Sequence, residues 1–272
     1  MPRPCLQRPD RQRLRRRSRS SNPMASHGPG ARPRRIGLAR ALSKRGVASR
    51  SQAAAWIRGG RVRVDGRVVT DPEFPTVDGL HVLEVDRHAV GALAVERRYI
   101  ALNKPRGLVT TARDEQARDT VYRCFDGTGL GWIAPVGRLD KASEGLLLFS
   151  NDPQWAARIT DPGTGPDKGY HVQVDCIPDE ARLRAMREGV ACDGVVLRAK
   201  AVSLLRAGGK HAWLEIVLDE GRNRQIRRML AALGIGVLRL VRVSIGQVVL
   251  GDLAKGAWRP LTEVEVAALG GG

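Results

Sequence analysis

The sequence predicts an α+β protein in two parts: a small helix–helix–hairpin module, then a larger domain on a mixed, largely antiparallel sheet. Three observations predict this. Helical spacing between Ile36 and Arg58 leads straight into the alternating Arg61-Val62-Arg63-Val64 and the turn Asp65-Gly66. From residue 98 to about 269, strand and helix signals alternate with no internal repeat. The length, 272 residues, exceeds one typical domain.

Residues 1–34 are dense in Arg, with Pro, Ser and Gly between. Such a segment cannot bury enough apolar surface to offset its ordering entropy, so a disordered basic tail is expected. The run from Arg3 to Arg19 reads equally as lying ahead of a true start at Met24. Residues 35–86 form the module. Ile36, Leu38, Ala39, Leu42 and Val47 recur near helical spacing. Ser49 is placed to cap a helix from Arg50 to Arg58, which Gly59-Gly60 ends. Asp65-Gly66 then turns the hairpin into Arg67-Val68-Val69. Residues 87–97 read as a linker, and 98–272 as the second domain.

Within that domain, strands are expected at Tyr99–Leu102, Trp132–Val136, Gly145–Ser150, Tyr170–Val174 and Ala212–Leu218. Helices are expected at Gln154–Thr160 with Asp152 as its cap, at Asp179–Glu188, and at Asn223–Leu233.

The net charge is +18 and the pI near 11.0. A positive excess of this size attracts polyanions and releases counterions on phosphate contact, so nucleic acid is the expected partner. The apolar runs are too short to cross a bilayer, and no apolar signal segment opens the chain. Cys5, Cys124, Cys176 and Cys192 show neither metal-ligand nor disulfide spacing. No metal is expected, and a reducing cytoplasm is.

The stretch LARALSKRGVASRSQAAAWIRGGRVRVDGRVV resembles an S4 RNA-binding domain. The resemblance implies a basic platform for structured RNA, carried by Arg40, Lys44, Arg45, Arg50, Arg58, Arg61 and Arg63.

Further on, Arg138-Leu139-Asp140-Lys141 sets a carboxylate between cations, just before an apolar strand. Positive neighbours keep a carboxylate ionised, yet local chemistry alone fits a structural ion pair better than a site. The longer stretch GRLDKASEGLLLFSND resembles the catalytic motif of pseudouridine synthases of the small- and large-subunit rRNA type. Lys168-Gly169-Tyr170, Glu220 to Met229, Asn103-Lys104-Pro105-Arg106-Gly107 and the closing Arg242-x-x-Ile245-Gly246 fit the same family. The resemblance covers roughly 230 residues and implies that Asp140 is the essential carboxylate. It also implies that Arg138 fills the space left by a displaced base, that Tyr170 packs on that base, and that Arg227 pairs with Asp140. Lys104, Lys168, Arg222, Arg224 and Arg228 are expected to meet RNA. Asp161 stands where relatives carry His, and Ser143 where they carry Thr.

The implied reaction moves the glycosidic bond of a uridine from N1 to C5, without cofactor or metal. Asp140 acts first, as nucleophile or as base; the sequence leaves both open. The expected partner is ribosomal RNA, 23S or 16S, or an assembly intermediate, met by a monomer away from membranes. The alternative is a non-catalytic RNA-binding or ribosome-assembly factor, which would have no need of Asp140, Tyr170 and Arg227 together.

Overall fold

The computed structural model describes residues 35–77, 79–91, 96–111, 116 and 118–270. The expected basic tail, residues 1–34, lies outside the described residues. The first part contains β1 (Arg35–Gly37), α1 (Leu38–Lys44), α2 (Arg50–Arg58), β2 (Val62–Val64), β3 (Arg67–Val68), β4 (Pro75–Val77), β5 (Leu83–Val85) and β6 (His88–Val90). Ser49 caps α2 by accepting from the Gln52 amide at 3.1 Å. Asp65 and Gly66 both sit at positive φ, 50° and 78°, as a two-residue hairpin turn requires. Leu38, Leu42, Ala53, Ile57, Val62, Val64 and Leu83 make a separate small core.

The sheet of this module runs β3-β2-β5-β6. Strand β6 therefore lies inside the segment 87–97 that was expected to be linker. The β5–β6 turn is Asp86-Arg87, with φ of 51° and 67°. Arg rarely adopts that backbone, so the turn carries no sequence signature.

The second part contains β7 (Tyr99–Lys104), a 3₁₀ turn (Val121–Phe125), β8 (Ala134–Val136), β9 (Glu144–Ser150), α3 (Pro153–Thr160), β10 (Lys168–Val174) and α4 (Glu180–Glu188). There follow β11 (Val190–Cys192), β12 (Val195–Leu197), β13 (Ala201–Ala207), β14 (Ala212–Leu218), α5 (Gln225–Ala232), β15 (Val237–Ile245), β16 (Val248–Val249), β17 (Trp258–Pro260) and α6 (Glu263–Ala268). The nine-stranded sheet is ordered β13-β14-β10-β15-β9-β7-β17, with β16 on β15 and β8 on β9. Every pairing is antiparallel except β9–β15, so the mixed, largely antiparallel sheet is as expected. Asp152 caps α3 from the Gln154 and Trp155 amides. Asn151 ties residues 96–98 to the end of β9: its side chain accepts from the Arg98 amide and donates to the Glu96 carbonyl.

The register lines up one row across the sheet. Lys104 faces Gly145, Gly145 faces Arg242, Arg242 faces Tyr170, and Tyr170 faces Ile216. Residues directly opposite one another project to the same face. Gly145 has φ of 100°, and a Cβ there would stand 2.3 Å from the Arg242 carbonyl oxygen. Only glycine permits that backbone and that approach. Gly145→Ala is expected to cost at least about 2 kcal/mol, read as a lower urea midpoint at unchanged m-value; a midpoint within error of wild type would show that the two strands can part there at no cost.

Candidate active site

Asp140 lies in the loop between β8 and β9, at the edge of a cleft of about 650 Å³. Arg138, Lys168, Tyr170, Arg224, Arg227 and Arg242 share its walls. A second cleft, of about 390 Å³, is also lined by Asp140, and Arg138 and Leu139 line both. Three carboxylates reach the main cleft. Asp161 accepts from the Gly163 and Thr164 amides of its own loop, which holds its carboxyl below the usual range. Glu220 accepts from Gln225 and Arg222. Asp140 is left facing the cleft with Arg224 3.3 Å away.

The backbone of the Asp140 loop is held from outside at each carbonyl. Leu139 accepts from the Thr110 hydroxyl at 2.7 Å, Lys141 from the Gly107 amide at 2.8 Å, and Ala142 from Arg227 Nη2 at 3.0 Å. Lys104 Nζ donates to the Asp140 carbonyl at 3.2 Å, to Ser143 at 2.9 Å and to Pro105 at 3.1 Å. Carbonyls so paired cannot swing without leaving a buried polar group unmet. The loop is thus pre-set, and the carboxylate it carries stays 37% exposed.

Two expectations about cations are corrected here. Lys104 does not meet RNA. It is fully buried, with two of its N–H donors spent on the loop and the third on the Pro105 carbonyl. Burial lowers its pKa from 10.5 to about 8, against the pull of Asp140. Nor does Arg227 touch the Asp140 carboxylate; that contact belongs to Arg224. The helix expected from Asn223 begins only at Gln225, because Arg224 takes a left-handed backbone with φ of 47°. That turn aims its guanidinium at Asp140. Burial, and then the Arg224 charge, hold the Arg227 guanidinium below its ordinary pKa.

Arg228 also departs from expectation. It donates to Asp193 at 3.0 Å and to the Cys192 carbonyl at 3.1 Å, on the β11–β12 hairpin. It stands 100° round the helix from Arg227, so the two face different neighbours. Arg222, exposed, pairs with Glu220, while Lys168 is half-buried in the cleft. In the first module Arg40, Lys44, Arg50 and Arg58 are exposed. Arg45 donates to the Val90 carbonyl, Arg61 forks onto Asp86, and Arg63 donates to the Gly66 carbonyl.

A flat aromatic wall, a pre-set carboxylate and an excess of cations are what a flipped nucleotide requires. Residues 98–232 match the family model described as RNA pseudouridylate synthase, and residues 36–78 match the S4 domain. The chain belongs to the RNA pseudouridylate synthase family. A ribosomal large subunit pseudouridine synthase B from Bacillus subtilis is 36% identical, over 85% of this chain and 94% of its own length. Its namesake from Salmonella typhimurium is 34% identical over 85% and 79%. An RNA pseudouridine synthase of Aquifex aeolicus is 36% identical over 84% and 91%. A solved pseudouridylate synthase structure superposes with a TM-score of 0.61 at 31% identity, covering 86% of this chain and all but 1% of that one. As a member of that family the chain is an enzyme that isomerises uridine in RNA.

Lys104 carries a pH prediction. Its folded pKa, about 8, lies below the unfolded value of 10.5, so the native state sheds the proton first. Wild-type stability should therefore rise relative to Lys104→Met between pH 8 and about pH 10.5. Over the same range the amine loses one of its three donors, two of which brace the loop, and activity should fall. Parallel urea and activity profiles of the two proteins check this; identical stability profiles would show that Lys104 does not titrate in the window.

Proposed function

We propose that the protein converts a uridine of large-subunit ribosomal RNA to pseudouridine, with Asp140 as the carboxylate that begins the reaction. The observation that carries the role of Asp140 is the loop itself: five successive carbonyls, Leu139 to Ser143, are held from outside, while the carboxylate they carry opens into the cleft beside Tyr170. The choice of large-subunit RNA rests on the names of the Bacillus subtilis and Salmonella typhimurium relatives. The target uridine leaves its stack at a cost of a few kcal/mol. Arg138, exposed between the two clefts, fills the space behind it. The base settles on Tyr170, Arg224 pairs with the Asp140 carboxylate, and Arg227 steadies the backbone behind it. The exposed cations of the first module hold RNA outside the cleft, and the protein works as a cytoplasmic monomer.

The test is to map pseudouridines in ribosomal RNA from a strain lacking the gene. One site in the large-subunit RNA should vanish, return with the wild-type gene, and stay absent with Asp140→Ala. Restoration by Asp140→Ala would end the assignment of Asp140, and loss of a small-subunit site would end the choice of subunit. Separately, replacing Arg40, Lys44, Arg50 and Arg58 together by Gln should weaken RNA binding. It should also flatten the plot of log affinity against log salt by about one for each cation that meets phosphate. An unchanged slope would remove this face from the RNA path.

A further inference from the structure

Arg242 sits in the middle of the row that runs from Lys104 to Tyr170 and is only 6% exposed. Its Nε donates to the Leu146 carbonyl at 2.7 Å. Its Nη2 is buried and has no hydrogen-bond partner among the described residues. No carboxylate lies within ion-pair distance of it among those residues. Glu144, on the adjacent strand, is already taken by Arg239 and Lys255. A buried charged donor left unpaired is costly. Persisting unpaired donors of this kind call for a partner that arrives later. Arg242 lines the Asp140 cleft and is directly across from Tyr170 on the neighbouring strand. Burial, and then the charge of Arg242, hold the half-buried Lys168 below its ordinary pKa, so the two cations crowd one floor.

We propose that Arg242 is a catalytic residue whose free Nη2 donates to a carbonyl oxygen of the target uracil and stabilises the detached base. The proposal rests on the activity of the family. When C1′–N1 breaks, the bonding pair stays on N1. The resulting uracil anion spreads its charge onto O2 and O4. Either course for Asp140, nucleophile or base, releases the same anion. A half-turn about the line through N3 and C6 exchanges N1 with C5 and O2 with O4. A donor that held one carbonyl before the turn therefore meets its equivalent after it. C5 then bonds to C1′ as the Asp140 oxygen leaves that carbon, or as Asp140 returns its proton to C2′; the C5 proton leaves and N1 gains one, so atoms and charge balance. A fixed buried cation serves this sequence because it needs no rearrangement as charge develops.

The experiment uses the full-length protein and a ribosomal RNA fragment carrying the mapped uridine, tritiated at C5. Single-turnover tritium release is measured at saturating protein, alongside RNA affinity and thermal unfolding. Arg242→Met and Arg242→Gln should slow release by about 100-fold or more, as loss of an oxyanion donor does, with affinity changed less than about threefold. The fragment is also made with sulfur, a poorer acceptor, at the 2- or the 4-position of the target. Sulfur should slow the wild type and add little penalty to Arg242→Met. A saturated rate within about threefold of wild type in Arg242→Met, or a sulfur penalty unchanged by it, would overturn the proposal. If Arg242→Met and Arg242→Gln do not fold, Arg242→Lys decides. It keeps the charge, and it should slow release at least about tenfold with a reduced sulfur penalty; wild-type behaviour in both measurements would overturn the assignment. Failure of the wild type to release tritium would instead count against the isomerase reading itself.

Discussion

Strands β9 and β15 run parallel for only two residue pairs, and they come so close that no side chain fits at Gly145. That approach brings chain segments nearly 100 residues apart into one row. Lys104 stands on one side of the gap, and Arg242 and then Tyr170 on the other. Beyond Gly145 the edge of β9 passes to β8, whose end leads into the Asp140 loop. The loop therefore starts and finishes on the same strand edge that holds the row. A wider spacing would separate the carboxylate from the aromatic wall and from the lysine that braces it.

Two kinds of interaction act on Asp140, and their magnitudes differ. In the Arg224 pair the arginine is half exposed and Asp140 more than a third, so water screens it to roughly 0–1 kcal/mol. Such a pair can be exchanged when phosphate arrives. The bonds to the loop carbonyls include buried, charge-assisted ones from Lys104, and each is costly to leave unmet. Backbone bracing thus decides where the carboxylate sits, and the ion pair adds little to that. Glu144 shows the opposite arrangement. Burial opposes its ionisation, but Arg239 and Lys255 outweigh that, so its charge is consumed within the fold.

Much of the fold was legible because it follows local chemistry. Ser49 and Asp152 cap the helices their positions suggest, while Asp179, read as the first helical residue, is the cap of α4. Alternating Val and polar residues mark β2 and β10. What failed to show were elements whose turns lack a signature or whose signature was passed over. Asp86-Arg87 turns like Asp-Gly without its glycine. Asp193-Gly194, which joins β11 to β12, did carry the signal, with φ of 50° and 78°. Helix α5 starts later than helical spacing suggests, because an arginine in a left-handed backbone leaves no mark in that spacing.

The sequence by itself determined the two-part α+β plan, the surplus of positive charge, and the motif that places Asp140 with Arg138 and Tyr170. Caps, alternation and net charge are properties of neighbouring residues, so a linear reading reaches them. Which cation does what was decided only by the tertiary structure. Lys104 and Arg228 read like RNA contacts, yet one braces the Asp140 loop and the other a hairpin. Arg224 reads like a phosphate contact and instead meets Asp140. Arg242 reads like a strand residue and lies buried beneath the cleft. A guanidinium or an ammonium reaches several ångströms from its backbone, and its partner is fixed by strand register and burial rather than by the residues beside it in the chain.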